Sequence, residues 1–332
     1  MIVDAHNDLL LELALRRDEE NPFGRHWLRQ LRAGGVALQV CPLYTADVAA
    51  EEARATALRQ VEAFDGALAE NPDHVFPVRT RADLDLVGAD DRIGLMLSME
   101  GTEPLEGEPD ALDEWFERGV RMIGLTWNHP TAFAGGLDTP DEGLTAAGRE
   151  LVGRFAERGV VLDLAHASEP TFFEALELAG DGSVVVTHAG CRSVYDHIRN
   201  LSDRQLESLA AREGVLGMMA LTLVVGRDEP TLDRFLDHLD HAVEVMGVDH
   251  VGLGADFIDQ VLATERASGK EPTEMTLEAL EVGGGVLAIR ELTGPADYPR
   301  LVEALHSRGY EGERLDAILH RSFLRVLGAT LP

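Results

Sequence analysis

Lysine is almost missing from this chain. It occurs once, at Lys270, so nearly all of the 29 basic residues are arginine, set against 59 acidic ones. The resulting net charge of −30 repels phosphate backbones and anionic membrane surfaces, which argues against nucleic acid or membrane partners. The surplus reads as a solubility device or an adaptation to a salty or hot cell. Cysteine occurs twice, at Cys41 and Cys191, with no C-x-x-C spacing. Two distant thiols make neither a disulfide framework nor a zinc knuckle, and both are expected in the core. No apolar run reaches the roughly 18 residues needed to span a bilayer. The opening Met-Ile-Val-Asp-Ala-His lacks the charged start and long apolar stretch of a signal peptide, so a cytoplasmic protein is expected. Aromatics are few: Trp27, Trp115 and Trp127 are too scattered for a carbohydrate platform. Trp27 and Trp115 read as packing residues, and Trp127, at a strand end, as a pocket wall.

What the chain does have is a recurring unit, a short apolar β-branched run followed by a helical pattern. Eight such runs begin at Ile2–Ala5, Val36–Cys41, Ile93–Met99, Met122–Trp127, Val160–Ala165, Ser183–Thr187, Val215–Leu221 and His250–Ala255. Each is largely apolar, as strands covered on both faces should be. Amphipathic stretches lie between them at Ala49–Glu70, Ala111–Arg118, Ala146–Glu157, Glu169–Leu178, Ser202–Arg212 and Thr231–Val245. Ser168 and Ser202 stand where N-terminal caps belong. Alternation of this kind predicts an α/β fold, a (β/α)8 TIM-like barrel occupying residues 1–332 as one domain. Long loops follow the fourth run (Asn128–Glu142) and the eighth (Phe257–Tyr298, with Gly283–Gly285 between helix-like stretches). Both leave the C-terminal face, where barrels of this type keep their chemistry.

The chemistry-bearing residues fall at that face. His6 and Asp8 lie just past the first run, Glu100 ends the third, His166 the fifth, His188 the sixth and Asp256 the eighth. Six metal-capable side chains from five strands thus converge on one barrel mouth. Imidazole nitrogens and carboxylate oxygens are the usual donors to zinc, and a carboxylate can join two ions. The natural arrangement is two zinc ions (Zn2+) bridged by Glu100, with His6 and Asp8 on one and His166 and His188 on the other. Such a pair can activate a shared water and polarise a carbonyl, and Asp256 could orient that water and carry its proton to a leaving amine.

These residues stand in motifs that resemble the membrane (renal) dipeptidase family of metallopeptidases. They are His6-Asn7-Asp8, Ser98-Met99-Glu100-Gly101, Asp163-Leu164-Ala165-His166, Thr187-His188, Arg199-Asn200, His238-Leu239-Asp240-His241, Gly254-Ala255-Asp256-Phe257 and the closing Phe323–Leu327. The resemblance runs from residue 2 to about 328 and implies an amidohydrolase-type barrel with two zinc ions that hydrolyses dipeptides, including those with a C-terminal D-residue. It also implies that Arg199 grips the dipeptide carboxylate, a role suited to a bidentate guanidinium. A small dipeptide is then the expected partner, with a homodimer left open. The alternatives are a binuclear hydrolase of another amide, ester or lactone, and a non-enzymatic binding barrel.

Three departures from the family pattern stand out. The family's oxyanion-steadying histidine follows Leu-Thr directly, whereas here Leu125-Thr126 is followed by Trp127, Asn128 and only then His129. Either His129 reaches the same spot from a rearranged loop, as a catalytic and substrate-binding residue, or the substrate differs. The eighth run ends Asp256-Phe257-Ile258-Asp259, which alters the pocket wall, and His320-Arg321-Ser322 stands where small or amide residues are usual. A soluble bacterial-type member, without the secretion signal and lipid-anchor tail of the animal members, is expected. His238 and His241 share a helix face and are expected to pack or cap rather than bind metal.

Overall fold

The computed structural model describes residues 1–269, 285 and 287–332. Gly283 and Gly284, and most of the helix-like pattern around them, lie outside the described residues. Nine parallel strands are present: β1 (Ile2–Asp4), β2 (Val36–Tyr44), β3 (Val75–Pro77), β4 (Ile93–Glu100), β5 (Val120–Gly124), β6 (Val161–Asp163), β7 (Val184–Ala189), β8 (Val215–Met218) and β9 (Val251–Leu253). Eight of them close a barrel, because β2 pairs with β1 on one side and β4 on the other, while β9 returns to β1. These eight are the eight expected runs.

The ninth strand, β3, has a simple cause. β5 joins β4 only from Leu97 onward, which leaves one edge of Ile93–Leu95 bare, and Val75–Pro77 covers it. A backbone edge buried without partners is costly, so a three-residue strand suffices to fill the gap. Its shortness is why the sequence pattern did not reveal it.

All six expected helices form, at Ala50–Glu70, Leu112–Glu117, Ala146–Arg158, Glu169–Leu178, Asp203–Ala211 and Leu232–Met246. Ser168 and Ser202 cap two of them: Ser168 accepts from Thr171 N, and Ser202 and Gln205 cap each other reciprocally. Trp27 and Trp115 are buried in the layer between barrel and helices. Cys41 and Cys191 are free and buried. A second core fills the barrel itself, where Val3, Val40, Met96, Val161 and Val215 pack onto Phe323, Val326 and Leu327 of the C-terminal helix Ser322–Thr330. That helix plugs the N-terminal end of the barrel and leaves the opposite mouth for the site. No helix among the described residues is long and apolar enough to cross a membrane.

Candidate metal centre

Two carboxylates that are not in the cluster aim the residues that are. Asp4, the last residue of β1, accepts the His6 N–H at 3.2 Å. Asp163, the last residue of β6, accepts the Ala165 N–H at 3.0 Å, an Asx turn that leaves His166 with a φ of 63°. Asp256 likewise has a φ of 59°. Left-handed backbone is unfavourable for any residue with a Cβ, and here it occurs at two side chains of one site. At β7 the control comes from glycine: a Cβ on Gly217 or Gly254 would stand 1.9 or 1.8 Å from the Thr187 carbonyl oxygen. Only their bare backbones admit Thr187, and with it His188.

The mouth so formed holds His6, Asp8, Glu100, His166, His188, Arg199 and Asp256, each between 1% and 7% exposed. Glu100 sits centrally and its two oxygens meet different histidines. Oε2 lies 3.5 Å from His6 Nε2, whereas Oε1 lies 2.9 Å from His166 Nε2 and 3.4 Å from His188 Nε2. On the His6 side, Asp8 Oδ2 and Asp256 Oδ1 stand 3.9 and 3.8 Å from the same Nε2.

The hydrogen bonds on the far sides of the rings decide what the near sides offer. His166 Nδ1 meets Asn128 Oδ1 at 2.7 Å, so it carries the proton and donates. The Thr187 hydroxyl donates to Asp163 Oδ2 at 2.5 Å and is left to accept from His188 Nδ1 at 2.9 Å. Both Nε2 atoms therefore present lone pairs, and they lie 2.8 Å apart beside Glu100 Oε1. Three acceptors crowded together with no hydrogen between them repel one another unless a cation joins them. Burial, reinforced by Arg199, pushes His166 down to about 3, which keeps it neutral.

The His6 half makes the same case through charge. Burial alone would lower the His6 pKa, but the carboxylates of Glu100, Asp8 and Asp256 outweigh it and raise the ring to about 10. Buried carboxylates in this number demand positive charge. Asp8 Oδ1 and His6 Nε2 are also buried without a hydrogen-bond partner. The His6, Glu100 and His188 donors, and the His6, Asp8 and Asp256 donors, each converge closely enough to hold a metal ion. The donor set thus fits zinc-type coordination.

Arg199 lines the adjoining cavity, with Trp127, Tyr44 and Asn128. Its guanidinium donates one hydrogen bond, to the His188 carbonyl at 3.3 Å, and has no carboxylate within ion-pair reach among the described residues. Trp127 forms a wall, its ring 5.7 Å from that of His166 and 5.5 Å from that of Tyr44. His129 is not brought to the cluster. Its side chain is 58% exposed and its Nδ1 pairs with Asp138 Oδ2 at 2.5 Å. The reason lies in the loop: Gly136 packs where a Cβ would come within 2.5 Å of the Asn128 carbonyl, and this fold turns Asn128 inward and the next residue outward. Asp259 does not enter the site either, since its carboxylate accepts from Leu287 N and Ala288 N and ties down the end of the long loop. His238 accepts from Cys191 N, its other nitrogen meets the Val225 carbonyl, and His241 pairs with Asp203. Sequence reasoning gave Asn128, Asp163 and Thr187 no role of their own. The aspartate three residues before His166 and the hydroxyl directly before His188 were the available signals.

Comparison with known proteins places the chain in a family. Residues 1–269 match the model of the membrane dipeptidase family, peptidase family M19. Dipeptidase verJ of Clonostachys rogersoniana is 27% identical over 312 residues, 90% of this chain and 74% of its own. Among solved structures, a metallopeptidase of Rhodobacter sphaeroides bound to a phosphinate mimic of the dipeptide L-Ala-D-Ala superposes with a TM-score of 0.85 at 25% identity, over 99% of each chain. A dipeptidase described as a family M19 metallopeptidase superposes with a TM-score of 0.86 at 26% identity, over 99% of this chain and 98% of that one. The chain belongs to the membrane dipeptidase family of peptidases, M19.

Proposed function

We propose that this chain hydrolyses dipeptides with two zinc ions, His6 and Asp8 holding one, His166 and His188 the other, and Glu100 bridging them. The observation that carries the reading is the division of labour between the Glu100 oxygens, one near His6 and one near the two lone-pair Nε2 atoms. Family membership and the relative bound to a dipeptide mimic support the substrate class. When bound, such a pair of ions lowers the pKa of a water and polarises the scissile carbonyl.

The chain's own residues supply the rest. Arg199, buried and without an acid partner, binds the substrate's C-terminal carboxylate through charge-assisted hydrogen bonds. Trp127 packs against the substrate and keeps bulk water from that side of the cavity. Asp256 Oδ1, facing the His6 half, takes the proton of the attacking water and delivers it to the leaving amine. His129, held at the rim by Asp138, is given no part in this scheme.

Metal analysis combined with hydrolysis rates over L,L and L,D dipeptides tests the reading. About two zinc ions per chain and turnover of at least some of these peptides are expected; metal-free protein inert toward all of them would refute it. Arg199→Met should raise KM for dipeptides steeply. Unchanged dipeptide turnover in that variant would instead favour a neutral amide, ester or lactone as substrate. The Asp163–Thr187–His188 chain has its own test. Thr187→Val should weaken zinc affinity by about 10–100-fold, whereas Thr187→Ser should retain it. A chelator competition assay measures both, and equal affinities would show that the hydroxyl does not orient His188.

A further inference from the structure

A second cavity of about 380 Å³ abuts the catalytic one and shares His166 and Arg199 with it as common wall. Pockets of this size hold ligand groups rather than isolated waters. Its inner lining includes a second arginine, Arg192, from the segment that follows β7. Arg192 has no side-chain hydrogen bond or ion pair among the described residues, and its Nε is buried from solvent without an acceptor. In a chain with 59 acidic residues, this part-buried guanidinium is left without a carboxylate, so its donors are open to an anionic ligand group at the cavity wall.

We infer that this cavity receives the side chain of the dipeptide's C-terminal residue, and that Arg192 selects an acidic one. The inference rests on the dipeptidase reading above. The substrate's α-carboxylate lies on Arg199 in that reading, and the C-terminal side chain branches from the adjoining carbon. It must therefore leave from the immediate surroundings of Arg199, which is where the second cavity opens. The acids that line this cavity, Glu169 and Asp196, are both exposed, and Glu169 pairs with Arg204 at 3.6 Å. They mark the rim, while the deeper wall is cationic. The catalytic cavity has the opposite character: apart from the carboxylates of the metal cluster, whose charge bound zinc offsets, Asp47 and Glu265 line it, so an acid on the N-terminal residue would meet like charge. The two cavities together admit an anionic side chain at one end of the dipeptide only.

The test compares kcat/KM for Ala-Ala, Ala-Asp, Ala-Glu and Ala-Lys, with the C-terminal residue in both L and D forms, in the zinc-loaded enzyme. At least one acidic peptide should exceed Ala-Ala by about tenfold or more, as a charge-assisted pair in a part-buried site gives. In Arg192→Met that ratio should collapse, and in Arg192→Glu it should invert in favour of Ala-Lys. A purely structural arginine would lower all four rates together and leave the ratio intact, which overturns the inference. Turnover of Ala-Ala without any acid preference in the unmodified enzyme also overturns it while sparing the dipeptidase reading. Failure to cleave any of the four removes both.

Discussion

Glu100→Gln is expected to lower kcat/KM by at least about 10³-fold, or about 4 kcal/mol of transition-state stabilisation, and to leave less than two zinc ions per chain. Glutamine fills the same volume, so packing is preserved while the charge between the two histidine sets is removed. The substitution acts on both halves of the site at once. Oε2 loses its charge pairing with His6, and Oε1 no longer offers an anionic donor to a cation beside the lone pairs of His166 and His188, which stand 2.8 Å apart. A neutral amide can donate one N–H to a single nitrogen, but it cannot bridge two cations. Metal content by elemental analysis and turnover of a dipeptide should fall together, with circular dichroism confirming the fold. Retention of two ions with activity within tenfold of the parent would mean that Glu100 is not the bridge.

The contrast between what the sequence exposed and what it hid follows from the range of the interactions. Eight strands were readable because a strand covered on both faces needs a largely apolar run, as in Val36–Tyr44, Ile93–Glu100 and Val184–Ala189. Convergence of His6, Asp8, Glu100, His166, His188 and Asp256 was readable because barrel topology alone brings strand ends together. The partners that orient those side chains depend on contacts that no local pattern encodes. Asn128 reaches His166 across 38 positions and Asp163 reaches Thr187 across 24. β3 was hidden because three residues carry no periodicity. The placement of His129 turned on Gly136 packing against the backbone of residues 127–129, a contact whose consequence, one residue turned in and the next turned out, lies beyond spacing arguments. Arg192 drew no notice because an arginine's significance here lies in the absence of a partner, which only three-dimensional structure can reveal.

Asp256→Asn separates the two roles its position permits. Its Oδ1 lies 3.8 Å from His6 Nε2, close enough that Asp256, His6 and Asp8 could together hold an ion. As a proton carrier it should instead be dispensable for metal and indispensable for turnover. Asparagine is the suitable replacement, because the residue sits at a φ of 59° and asparagine tolerates left-handed backbone as well as aspartate does. The backbone hydrogen bond from Asp256 N to the His6 carbonyl, at 3.3 Å, is also unaffected. The side chain keeps its shape and loses only the ability to take and return a proton. We expect kcat to fall by about 10³-fold, within the range that a positioned general acid–base supplies, with KM changed by less than about threefold and two zinc ions retained per chain. Loss of one ion together with activity would identify Asp256 as a ligand, and kcat within tenfold of the parent would move proton transfer to another group. Full metal content with lost turnover is the outcome that a proton-carrying Asp256 outside the ligand set requires.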